Sequence, residues 1–198
     1  MLLQGLAKLM LTLPVWLVFR PRIAGWRNLL FSGPAIIAAN HFSMTDPAFI
    51  MLACPRIIRY MAKPELFVKP VSRMLMTALG AFPVQRGYME ITSVRHAMRV
   101  LAGGGVFGIF PEGRRSLTGE MDAFDKGAAF LALRCNVPII PIYMDPTAHK
   151  RLRVRMIVGE PMDAAAIADQ YQGRAVDIVT LALHDRIMDL KNVFEGRR

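Results

Sequence analysis

Only two of the 198 residues are cysteine, Cys54 and Cys135. That is too few for a disulfide scaffold, and neither sits in a CxxC or Cys/His spacing that would hold zinc. A reducing compartment is the simplest setting. Acidic residues are also scarce, with 15 Asp and Glu against 25 Lys and Arg, which leaves a formal charge of +10. The imbalance implies an anionic partner: nucleic acid, acidic headgroups, phosphorylated metabolites or an acidic carrier protein. Missing, too, are the clusters of basic and aromatic residues on a polar surface that mark nucleic-acid binders. Here Lys and Arg are scattered among apolar runs, so no nucleic acid is expected and a membrane surface leads. No repeat or low-complexity tract is present. With 54% of the chain apolar, burial offsets the entropy of ordering and disorder is excluded. The length suits one domain.

An uninterrupted bilayer-length apolar run is absent as well. The opening stretch, MLLQGLAKLMLTLPVWLVF, comes near but is broken by Gln4, Lys8 and Pro14. It leads into Arg20, Arg22 and Arg27, bracketed by Trp16 and Trp26, a composition suited to headgroup level at a membrane interface. The expectation is a helical segment over residues 1–27 lying in one leaflet, ahead of a domain over residues 28–198. A buried core helix is the alternative. A cleaved leader is disfavoured, because the N-terminus has no basic cluster and no small-x-small site follows.

Beyond Arg20, short β-like runs alternate with helical stretches. Strands are predicted at Ala35–Ala39, Ile57–Met61, Ala81–Val84, Val106–Phe110, Ile139–Tyr143 and Leu152–Val158, and helices at Pro47–Ala53, Pro70–Leu79, Ile91–Ala102, Gly127–Arg134 and Arg174–Leu190. The alternation predicts an α/β domain with a largely parallel or mixed sheet flanked by helices. Met74, Leu75 and Met76 read first as core packing and second as lining for a flexible apolar ligand.

In Ala38-Ala39-Asn40-His41-Phe42-Ser43-Met44-Thr45-Asp46-Pro47 a buried-looking strand runs into a polar stretch ending in Asp-Pro. Asp before Pro predicts a helix cap, with Pro47 opening the helix. His41 then stands just past the carboxyl end of a strand, where α/β sheets place ligand sites. Were the stretch helical, ~100° per residue would leave His41 and Asp46 on different faces. A loop is needed to join them. If it does, Asp46 orients the imidazole and His41 serves as a general base; the other reading leaves Asp46 a cap alone. Ser43 stands near enough to be a nucleophile, but its hydroxyl suits a turn better. No GxSxG context occurs, which favours direct attack by a substrate hydroxyl over an acyl-enzyme. His41 and Asp46 lack further metal-ligand companions, so no metal is expected.

Three further segments complete the set. Ile109-Phe110-Pro111-Glu112-Gly113-Arg114-Arg115-Ser116 places an acid, a glycine, two guanidinium groups and a hydroxyl after an apolar strand, either an anion-holding loop or a solvated basic turn. Arg86 closes Gly80-Ala81-Phe82-Pro83-Val84-Gln85-Arg86 and could meet a phosphate. Val137-Pro138-Ile139-Ile140-Pro141-Ile142, with two prolines, predicts an edge or interrupted strand.

In this order the four segments resemble the blocks of the glycerolipid acyltransferase family: NHxxxxD, GxxxxxR, an FPEG-type loop ending in Arg-Ser, and a VPIIP-type stretch. Ala62-Lys63-Pro64-Glu65-Leu66-Phe67 resembles the family's AK-x-EL segment. The resemblance implies that His41 is the catalytic base and Asp46 its orienting carboxylate. It places Asn40, Ser43, Arg86, Glu112, Gly113, Arg114, Arg115 and Ser116 at the acceptor. Arg114 departs from the threonine of the common FPEGTRS loop. The implied reaction is acyl transfer from acyl-coenzyme A or acyl carrier protein to a lysophospholipid, foremost 1-acylglycerol-3-phosphate, with no cofactor. Glycerol-3-phosphate or a lyso-ornithine lipid are alternative acceptors, and a non-catalytic lipid-binding protein is the rival of another class. Membrane phospholipids are the expected partner, with the protein monotopic or peripheral on the cytoplasmic side of the cell membrane.

Overall fold

The computed structural model describes residues 2–84, 91–116, 118–146, 154–170 and 174–196. Seven strands form one sheet: β1 (Arg22–Ala24), β2 (Ala35–Ala39), β3 (Ile58–Ala62), β4 (Ala81–Pro83), β5 (Val106–Ile109), β6 (Ile139–Met144) and β7 (Arg155–Val158). Their spatial order is β1-β7-β6-β2-β5-β3-β4, parallel throughout except for the antiparallel pairing of β6 with β7. The helices are α1 (Leu2–Phe19), α2 (Asp46–Ala53), α3 (Pro70–Ala78), α4 (Ile91–Ala102), α5 (Gly127–Cys135), α6 (Ala164–Asp169) and α7 (Ala175–Glu195).

Strand β2, AIIAA, is buried along its whole length, as befits a parallel strand covered on both faces. Its alternation divides the interior. Ile36 and Ala38 join Phe107, Ile139 and Tyr143 under α4, α5 and α7, while Ile37 and Ala39 join Ile58, Tyr60, Ile140 and Ile142 under α2. Val15 and Phe19 of α1 pack on this second core, Phe19 edge-on to Phe49 at 5.0 Å. The result is a three-layer α/β domain with the middle strands at its centre.

Several expectations need correction. The VPIIP stretch is no edge strand: β6 lies between β7 and β2. Pro141 is tolerated because the side of its backbone that lacks a donor faces the end of β7, where its carbonyl accepts from Gly159 at 2.8 Å, while the β2 side keeps its pairing. Helix α2 begins at Asp46, with Thr45 in the cap position and no side-chain cap bond, so Asp46 is not the helix cap. Met74 and Leu75 are exposed and fill no core. Strand β1 lies before the expected boundary at residue 27 yet pairs with β7, so the N-terminal segment is tied into the sheet. Helix α6 was not predicted, although Asp163 caps it by accepting from the amides of Ala165 and Ala166. The start of the predicted strand Leu152–Val158 falls outside the described residues.

Candidate active site

The site forms where β2, β5 and β6 end side by side, with β2 in the middle. In a sheet of this kind the loops after such strands diverge and leave a crevice. The first loop brings His41 and Asp46 together: Nδ1 of His41 lies 3.1 Å from Oδ2 of Asp46. The same oxygen accepts from the amides of Phe42 and Ser43, each at 2.7 Å. The five-residue spacing that a helix would have splayed is closed by a turn whose backbone donors converge on the carboxylate. With two backbone amides already donating to it, that oxygen is an acceptor held in place, so His41 donates from Nδ1 and keeps Nε2 as its basic nitrogen. Relative exposure is 16% for the His41 side chain and 7% for that of Asp46, a geometry that shields the pair yet leaves the ring reachable.

The imidazole also rests on an aromatic stack. Phe110 lies 4.1 Å away at 22° to it, and Tyr60 continues the stack at 5.7 Å from Phe110. Gly108 makes room, since a Cβ there would meet the Tyr60 ring at 2.0 Å. The Tyr60 hydroxyl is buried without a hydrogen-bond partner among the described residues, and burial, with Cys54 and Asp46 nearby, raises its pKa well above the ordinary phenol value.

The second loop locks onto the first. Glu112, nearly fully buried, accepts from the His41 amide at 2.8 Å through Oε1 and from the Asp122 amide at 3.0 Å through Oε2. Burial raises its carboxyl above the ordinary glutamate value, and these two amide donors partly offset the rise. The amide of Ser116 donates to the His41 carbonyl at 2.9 Å, so both backbone polar groups of His41 are held by this loop. Asn40 ties in the third strand: its Nδ2 donates to the Met144 carbonyl at 3.0 Å and its Oδ1 accepts from the Met144 amide at 2.7 Å.

Among the candidate residues, then, His41 and Asp46 meet, while the polar groups of Asn40 and Glu112 and the backbone of Ser116 are engaged in holding His41 in place. The Ser43 hydroxyl pairs with that of Thr45 at 2.9 Å, a turn-stabilising role. Gly113 turns the loop at φ +67, where a Cβ would meet Oδ2 of Asp125 at 2.7 Å. Arg114, the departure from the common loop, is exposed and paired with Asp122 at 3.1 Å, so its charge is locally balanced. Arg115 is exposed, with no ion pair among the described residues. Arg86 lies outside the described residues. Sequence reasoning missed the ring stack, although Phe110 directly after β5 and Gly108 two residues before it were its visible signal.

A buried carboxylate contacting a partly exposed histidine at the carboxyl ends of parallel strands, in an α/β domain, is an arrangement suited to acid–base chemistry. The chain belongs to the acyltransferase family, whose model matches residues 20–145. It is 31% identical over 171 residues to the 1-acyl-sn-glycerol-3-phosphate acyltransferase of Bacillus subtilis, covering 83% of this chain and 85% of that one. It is 28% identical over 170 residues to the chloroplastic 1-acyl-sn-glycerol-3-phosphate acyltransferase LPAT1 of Arabidopsis thaliana, covering 79% of this chain but only 48% of the plant protein. Among solved structures, the LPA acyltransferase PlsC of Thermotoga maritima shares the fold with a TM-score of 0.70 at 20% identity, covering 93% of this chain and 81% of that one.

Proposed function

We propose that this acyltransferase moves a fatty acyl group from a thioester to the free hydroxyl of 1-acylglycerol-3-phosphate, giving phosphatidic acid. The observation that carries the reading is the Nδ1 contact of His41 with Asp46, which leaves Nε2 as the base. Nε2 takes the hydroxyl proton as the acceptor oxygen attacks the thioester carbonyl. The tetrahedral intermediate collapses with cleavage of the C–S bond, and the proton passes from the imidazolium to the departing thiolate. Asp46 stabilises the imidazolium while it exists. A thioester is activated already, so this route calls for no metal and no prosthetic group.

The acceptor assignment is supported by the names of the relatives and by the basic loop that carries Arg115 beside the His41 loop. The balanced charge of Arg114 removes a reason to invoke a different headgroup. The donor is acyl-coenzyme A or acyl carrier protein, both anionic and suited to a chain of +10. On this reading the protein sits at the cytoplasmic face of the cell membrane, and helix α1 supports the membrane seating, though not the choice of face. Met10, Leu13 and Leu17 point away from the protein while Val15 and Phe19 pack inward, and no described helix is long and apolar enough to cross a bilayer. Mass spectrometry of products from purified protein, lysophosphatidic acid and each donor tests the reading. A diacyl product with one donor or both is expected; none with either, alongside acylation of glycerol-3-phosphate or a lyso-ornithine lipid, would overturn the acceptor.

A further inference from the structure

Helix α3 is amphipathic, but its apolar stripe faces the wrong way for a water-soluble protein. Val71, Met74 and Leu75, at i, i+3 and i+4, share one face of the helix. Val71 is 74% exposed and Met74 71%, and Leu75 too is exposed. The side turned toward the protein carries the half-buried Ser72, Met76 and Leu79. Ser72 Oγ donates to the Leu66 carbonyl and Arg73 Nε donates to the Phe67 carbonyl at 3.0 Å, so two bonds to the preceding turn fix the rotation of the helix. The outward stripe is therefore held there by the fold, at a cost that needs an apolar partner to offset it.

Two observations identify that partner. Helix α3 packs against α1, whose Met10, Leu13 and Leu17 are also exposed, and exposed Val68 directly precedes α3 in the chain. Lys63, Lys69 and Arg73, all exposed, fringe it with positive charge, with no ion pair to a carboxylate among the described residues. Apolar side chains rimmed by cations fit the acyl region and anionic headgroups of a bilayer. We propose that α3 is a second membrane-seated helix, which dips Val71, Met74 and Leu75 into one leaflet beside α1 while Lys63, Lys69 and Arg73 meet lipid phosphates. The proposal rests on the reading of α1 as a membrane-seated helix. With two helices seated, the domain has a fixed tilt on the bilayer, because a single helix could roll.

The test is sedimentation of the full chain with vesicles of equal parts phosphatidylcholine and phosphatidylglycerol, alongside circular dichroism and analytical ultracentrifugation. Val71→Asp with Met74→Asp is expected to weaken vesicle affinity by about tenfold or more with the melting temperature unchanged. Val71→Trp, which adds an interfacial anchor, is expected to strengthen it. Wild-type affinity in both variants, together with weaker binding by Leu13→Asp with Leu17→Asp, would overturn the role of α3 and leave that of α1 standing. Failure of the wild-type chain to bind these vesicles would overturn both. A wild-type dimer that Val71→Asp converts to monomer, with vesicle affinity intact, would assign the stripe to a second copy of this chain and overturn the proposal.

Discussion

At the scale of single residues, Asp46 has two tasks that separate on substitution. Its Oδ2 accepts from the His41 ring and from two backbone amides. Under the proposed mechanism, Asp46→Asn keeps one acceptor oxygen but removes the charge that would stabilise the imidazolium, so kcat is expected to fall by roughly 10²–10⁴ with the fold retained. Steady-state kinetics beside a thermal melt checks it. Glu112 is a clamp on His41 and Asp122 rather than a group free for substrate. Glu112→Gln turns an NH₂ toward one of those amides and leaves that donor unpaired, at an expected stability loss of about 1–3 kcal/mol. Its pH signature has a definite sign. Because burial raises the native pKa of Glu112 above its unfolded value, the native chain binds this proton more tightly. The carboxyl's contribution to stability is therefore full below the unfolded value and is lost as pH rises through the native one. Denaturant titrations across that interval should show the wild-type slope flattened in Glu112→Gln.

At the scale of elements, the strands and helices were legible where one periodicity ruled. The run AIIAA between turn residues and the amphipathic stretch of α4 were read with the bounds the structure gives. Strand β1 was missed because Arg22-Ile23-Ala24 is too short to show a period; only its pairing with β7 makes it a strand. The VPIIP stretch misled because proline usually marks an edge, and the position that lets Pro141 sit inside the sheet is set by where β7 ends. Gly108 exposes a dependence between elements. It lies on β5, yet it accommodates the Tyr60 ring of β3, which stacks on Phe110 beneath His41. Gly108→Ala is expected to cost about 1–3 kcal/mol by overpacking and to lower kcat through the displaced stack, read from denaturation and turnover together.

At the scale of the whole molecule, the pair His41 and Asp46 was visible in the spacing, but the apparatus that holds it was not. Asn40 with Met144 joins residues 104 apart in sequence, and Glu112 with His41 joins residues 71 apart. Contacts of that range come from the order of strands, with β6 and β5 flanking β2, and no local pattern announces them. The outward stripe of α3 was equally hidden, since periodicity shows that a helix has an apolar face and not where that face points. Three loops converging on one histidine make the account hang on that residue. Its most direct test is thiol release from an acyl thioester in the presence of lysophosphatidic acid, comparing wild type with His41→Ala at equal melting temperature. The account predicts a loss of at least about a hundredfold in the variant; turnover close to wild type would contradict it.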